Sequence, residues 1–169
     1  LVPEKIAGQD ILHETVVGLS GMARSRGIEL TEVVPDHVGE EFLLGDRGML
    51  IRVLQNLLIN AIQHSSHGAL GEAGVEQIGQ TMRFYIQDQG PGIPPELQEA
   101  IFHKFFQITK KRDGRRYSTG LGLTFCKLAV NAHRGSIQVV SDGVRGSRFI
   151  VSLPMESPPQ ERSGKDIPS

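Results

Sequence analysis

Apolar residues between Asp10 and Arg26 fall at Ile11, Leu12, Val16, Leu19 and Met22, a spacing that predicts an amphipathic helix despite its glycines, closed by Gly27. Ile28 to Val34 reads as a strand, Pro35–Asp36 as a turn and Glu41 to Leu44 as a short strand. Asp46 stands where an N-cap would open a long helix running through His64, with Leu50, Val53, Leu54, Leu57, Leu58 and Ala61 on its core face. Ser65 to Gly74 predicts a loop. Val75 to Ile78 and Thr81 to Asp88 predict two strands joined at Gly79–Gln80, the second alternating through Met82, Phe84 and Ile86. Gly90 to Pro95 reads as a rigid loop, followed by short helices over Pro95 to Ala100 and Ile101 to Lys104. Gln107 to Thr119 is polar and basic, and no regular structure is expected there. Leu121 to His133 predicts a further helix. Ser136 to Val140 and Ser147 to Leu153 predict a hairpin around Asp142 to Gly146.

Helices alternating with strands, and strands running together at the end, imply an α+β fold: a two-layer sandwich with helices on one face of a mixed, mostly antiparallel sheet. Residues 1–154 read as one domain. Residues 155–169, rich in Pro, Ser and charge, read as a disordered tail. The 38% hydrophobic content fits a globular chain rather than a disordered one. Eighteen basic residues balance 19 acidic ones, which argues against a whole-surface role on nucleic acid or anionic lipid. No apolar run approaches the roughly 20 residues that span a bilayer. The single cysteine, Cys126, lies in an apolar helical pattern, reads as a buried free thiol and suits a reducing, cytoplasmic compartment. Leu1 rather than Met at the start reads as a piece of something longer.

Four segments carry candidate chemistry. Asn56 and Asn60 are one helical turn apart, and Gln63 and His64 continue that polar face. The plain reading is a solvated face; the chemical one is a magnesium and phosphate site, because that ion needs only one or two protein oxygens beside phosphate and water. Asp88-Gln-Gly-Pro-Gly-Ile-Pro94 ends a strand in a tight turn open to a ligand. An aspartate there can accept a bond from an exocyclic amine, which adenine has and guanine lacks at the matching position; the alternative is an ordinary Asp-Gly turn. Ser118-Thr-Gly-Leu-Gly-Leu123 enters a helix and offers free N–H groups to phosphate, or is a plain helix start. Lys110, Lys111, Arg112, Arg115 and Arg116 surround one acid, Asp113, and read either as solvated surface or as a mobile basic lid.

In order, Asn56-Leu-Leu-Ile-Asn60-Ala-Ile-Gln-His-Ser65, Asp88-Gln-Gly-Pro-Gly92, Ile101-Phe-His-Lys-Phe105-Phe106 and Thr119-Gly-Leu-Gly-Leu123 resemble the N, G1, F and G2 boxes of sensor histidine kinases, over roughly residues 8 to 154. The resemblance implies a Bergerat-type ATP-binding fold, the catalytic part of a protein-histidine kinase. It implies Asn60 as magnesium ligand, Asn56 near the phosphates and His64 beside the nucleotide. It implies Asp88 on the adenine amine, with Gly90, Gly92 and Ile93 close to the base and Ser147 supporting it. Phe102 and Phe105 would anchor the lid, whose Lys110, Arg115 and Arg116 face the phosphates, and Thr119, Gly120, Leu121, Gly122 and Leu123 would wrap them.

Three departures stand out: Gln63 replaces a frequent basic residue, His103 a frequent acidic one, and Arg134 interrupts a common His-Gly-Gly. His13-Glu14 does not match the acceptor pattern of these kinases, so the phosphorylated histidine is expected on a separate dimerisation domain. The partners implied are ATP, that domain and, indirectly, a response regulator; neither nucleic acid nor membrane insertion is expected. The alternatives are an ATPase or scaffold of the topoisomerase, mismatch-repair or chaperone type, and a non-catalytic nucleotide switch.

Overall fold

A computed structural model describes residues 1–36, 42–103, 108–109, 116–117 and 120–155. The order is β1 (Glu4–Ile6), α1 (Gly8–Ser25), β2 (Glu29–Val33), β3 (Leu43–Gly45), α2 (Arg47–His64), β4 (Leu70–Ile78), β5 (Thr81–Asp88), β6 (Ile108–Thr109), β7 (Arg116–Tyr117), α3 (Gly120–Ala132), β8 (Ser136–Val140) and β9 (Ser147–Pro154). Two short 3-10 helices, Pro95–Leu97 and Ala100–Phe102, follow β5.

The main sheet runs β2-β4-β5-β9-β8; β2 and β4 are parallel and the other neighbours antiparallel. Alternation assigns its faces. Met82, Phe84, Ile86 and Asp88 of β5 are buried, as are Ser147, Phe149, Val151 and Leu153 of β9. The apolar ones among them pack with Leu50, Leu54, Leu57, Leu58 and Ile62 of α2 and with Cys126, Ala129 and Val130 of α3 in one core. Emptying a site such as Phe84 would cost about 3–5 kcal/mol. The predicted sandwich, with a mixed and mostly antiparallel sheet, is the one observed.

Asp46 caps α2 as expected, its Oδ1 accepting the Met49 N–H at 2.9 Å. At the end of α1, Gly27 N–H donates to Arg24 O and Ile28 N–H to Ala23 O, the paired bonds of a Schellman-type stop.

Three expectations need correction. Residues 70–74 are strand rather than loop: they pair with β2 (Glu29↔Leu70 to Val33↔Gly74) and continue onto β5. Gly74 serves close packing within that strand, since a Cβ on it would run into the Tyr85 ring. Ile108–Thr109 and Arg116–Tyr117 pair antiparallel, so the basic stretch is not without regular structure throughout. The rest of that stretch, residues 107, 110–115 and 118–119, lies outside those described. Finally, β1 was not foreseen; it pairs with β3 across Glu4↔Gly45 to Ile6↔Leu43. The expected tail lies outside the described residues beyond Met155, which is itself buried.

Candidate nucleotide site

Period-2 alternation carries the inward row of β5 from Phe84 through Ile86 to Asp88, which puts a carboxylate at the sheet's end facing the helical layer. Asp88 is only 3% exposed. Its Oδ1 accepts N–H bonds from Gly90 (2.9 Å) and Ser147 (3.2 Å), and its Oδ2 accepts the Ser147 hydroxyl at 2.9 Å. The register Asp88↔Ser147 makes this pairing possible. A carboxylate offers about four lone-pair sites, so one remains on Oδ2 for a ligand donor. Burial raises the Asp88 pKa above the ordinary aspartate range, against the lowering effect of the bonds from Gly90 and Ser147.

The loop after Asp88 is pressed against two neighbours. A Cβ on Gly90 would lie 2.7 Å from the His64 carbonyl oxygen at the end of α2, and one on Gly146 would lie 2.0 Å from Asp88 O. Gly146 N–H donates to Gly90 O at 2.6 Å. Gly92 has φ +78°, and a Cβ there would meet the Gly143 carbonyl carbon at 2.8 Å. Ile93 N–H is held by the Ser141 hydroxyl, and Ile93 O by Gln98 Nε2.

The other side of the site is built on α2. Asn56 and Asn60 lie on its half-buried face with His64 beyond them, while Gln63 is exposed. Asn56 Nδ2 stands 3.5 Å from Gly122 O in the first turn of α3, a bond at the limit of useful length. Gly120 and Leu121 open α3. Leu123 is 2% exposed, so its side chain belongs to the core and only its backbone is available to a ligand. Beneath Asn56, Cys126 is fully buried, its Sγ 3.7 Å from Val53 O.

The structure thus joins the glycine loop, the end of α2, the start of α3 and the start of β9. Phe102 is buried edge-on to Phe149, with ring centroids 6.1 Å apart. Phe105, Lys110, Arg115 and Thr119 lie outside the described residues; Arg116 pairs with Thr109 in the small ladder. His13 lies on the exposed face of α1, bonded to Glu32 at 2.9 Å. Arg134 occupies a left-handed conformation, φ 59°, at the end of α3, where a glycine would sit without strain. Sequence reasoning missed Ser141 and Gln98. The one signal available was a serine just ahead of the Gly143 and Gly146 pair in the hairpin loop.

Among the described residues no helix is long and apolar enough to cross a membrane. The family described as histidine kinase-, DNA gyrase B-, and HSP90-like ATPase matches residues 45–157, more than half of the chain. The sensor histidine kinase RppB of Synechocystis sp. is 36% identical over 121 residues, covering 72% of this chain and 27% of RppB. The sensor-like histidine kinase SenX3 of Mycobacterium tuberculosis is 37% identical over 144 residues, 85% of this chain and 34% of SenX3. The chain therefore spans about a third of the length of these relatives. The catalytic domain of histidine kinase ThkA, in a nucleotide-free form, superposes with a TM-score of 0.78 at 25% identity, covering 91% of this chain and 98% of that domain. The chain belongs to the histidine kinase-, DNA gyrase B- and HSP90-like ATPase family, and corresponds to the catalytic, ATP-binding part of its sensor histidine kinase relatives.

Proposed function

We propose that this chain holds Mg-ATP in a two-component sensor kinase and presents the γ-phosphate to a histidine on a separate dimerisation domain, from which a response regulator is then phosphorylated. The observation that carries the reading is the buried Asp88, bonded three times by the protein with one acceptor position left on Oδ2. An adenine amine fills that position; guanine offers a carbonyl there and would set two acceptors against each other.

With the base at Asp88, the face of α2 bearing His64, Asn60 and Asn56 leads toward the first turn of α3, whose N–H groups suit phosphate. The donor set fits magnesium carried in by a nucleotide. Among the described residues no group of three His, Cys, Asp or Glu could hold a metal alone. The Asn60 amide is one neutral hard oxygen, which phosphates and water would complete. Bound magnesium would supply charge neutralisation on the phosphates. The chain's own residues position and orient, which is most of what phosphoryl transfer requires. Gln63 adds no charge, so the basic residues Lys110, Arg115 and Arg116 take that part.

Calorimetric titration tests this. ATP should bind more tightly with magnesium than with a chelator, and GTP should bind poorly. Equal titration by ATP and GTP would remove the adenine assignment, and indifference to magnesium would remove the metal role.

A further inference from the structure

Ser141 and Gln98 lie outside every box described above, yet the Ser141 hydroxyl and both Gln98 amide hydrogens are spent on the adenine loop and the hairpin loop facing it. The Ser141 hydroxyl accepts from Ile93 N–H at 2.9 Å and Gly143 N–H at 3.1 Å, and donates to Gly146 O at 2.7 Å. That exhausts one donor and two acceptor positions. Gln98 Nε2 donates both its hydrogens, to Ile93 O at 3.1 Å and Ser141 O at 2.9 Å. Ile93 is thereby held at both its N–H and its C=O. Gly92 lies so close that a Cβ on it would stand 2.8 Å from Ser141 Oγ. At the other end of the loop, Gly90 O takes the Gly146 N–H, and Gly90 N–H is one of the three bonds on Asp88.

We propose that Ser141 and Gln98 form a clamp that positions the loop from Gly90 to Ile93 against the hairpin at 141–146, and so sets the selectivity of the site for adenine over guanine. They are positioning residues and act through Gly90 and Asp88. The inference rests on the adenine reading of Asp88. A carboxylate oxygen separates two bases only if it stays at a fixed angle to the base edge, with the loop fixed beside it. Releasing Ile93 and Gly146 lets the loop shift, so that an ill-fitting base is tolerated while the good fit is lost. A role in general stability would lower the melting temperature and weaken both nucleotides alike.

The test is titration of the purified chain with ATP and with GTP, in magnesium, for the parent, Ser141→Ala, Gln98→Ala and Ser141→Thr. Ser141→Ala should weaken ATP about tenfold, the scale of one or two lost hydrogen bonds, and bring the ATP/GTP ratio toward one. Gln98→Ala should do the same more mildly, and Ser141→Thr, which keeps the hydroxyl, should retain most of the ratio. If both alanine variants keep the parent ratio, the clamp is wrong even though the adenine site stands. Should Ser141→Ala fail to fold, half-buried Gln98 decides alone. If the parent itself binds the two nucleotides alike, the adenine reading falls and the clamp with it.

Discussion

The two ends of the nucleotide site are built on opposite plans. At the base end the polar groups are bonded to one another, with one acceptor position left on Asp88 Oδ2: Asp88 takes three bonds, and Ser141, Ser147, Gly90 and Gly146 are tied together across β5, β9 and the hairpin loop. At the phosphate end Asn56 reaches Gly122 O only at 3.5 Å, and among the described residues Asn60 has no hydrogen-bond partner. A rigid, buried acceptor suits a flat, neutral base that must be told from another of similar size. Loosely held amides and helix N–H groups suit a polyanion that arrives with its own ion and water. On the function proposed above, base specificity would sit in protein already bonded to itself, and affinity for phosphate in the loosely held groups.

The contrast predicts different failures. Asp88→Ala should cause the largest loss, because it removes the base acceptor and strands the Gly90 and Ser147 donors around it. At about 1.5–3 kcal/mol for bonds to a charged group, ATP affinity should fall on the order of 10- to 100-fold, with or without magnesium. Asn60→Ala should instead erase the gain given by magnesium and leave binding in chelator near the parent value. Calorimetry in the two buffers separates them, and a magnesium-dependent loss in Asp88→Ala would break the division between the two ends.

How much of this could be read from the chain followed from the range of the interactions. Helix α2, its Asp46 cap, and the register of Asn56 with Asn60 depend on residues a few positions apart, so spacing alone placed them. Asp88 fell on the inward row of β5 because alternation from Phe84 decides it. The clamp was hidden because Ser141 meets Ile93 across 48 positions, and Gln98 meets Ser141 across 43. A lone serine and a lone glutamine carry no period. Gly74 is hard to read for the complementary reason: a glycine in a strand looks like a turn until the partner, here Tyr85, is seen to occupy its face. Leu123 combines two roles that spacing does not separate: its side chain lies in the core, which leaves its backbone for the phosphate wrap that the resemblance implies.

A smaller effect should appear with pH and at the base end only. Burial lifts the Asp88 pKa, so the ionised form costs stability at neutral pH, and that cost is relieved as pH falls through the raised value. Base binding runs the other way, since the protonated carboxyl loses acceptor capacity. Adenosine, which lacks titrating phosphates, should therefore bind more weakly as pH is lowered, starting above the ordinary aspartate range. Asp88→Asn should show no such limb. An acid limb unchanged in Asp88→Asn would assign the titration to another group.

The least change is expected at Cys126, beneath the phosphate end. Burial pushes its thiol up to about 12, and its Sγ faces Val53 O within the contact of α2 with α3. The thiolate is the reactive form, so the folded chain at neutral pH should react with a thiol reagent far more slowly than the unfolded chain. Reaction then requires α2 and α3 to part, which makes the labelling rate a measure of opening at that end. Nucleotide bridging Asn56 and the first turn of α3 should slow labelling, and should do so in Ser141→Ala as well once the site is saturated. Labelling as fast as in denaturant would mean that the contact of α2 with α3 is open, and the two plans would then differ in folding as well as in bonding.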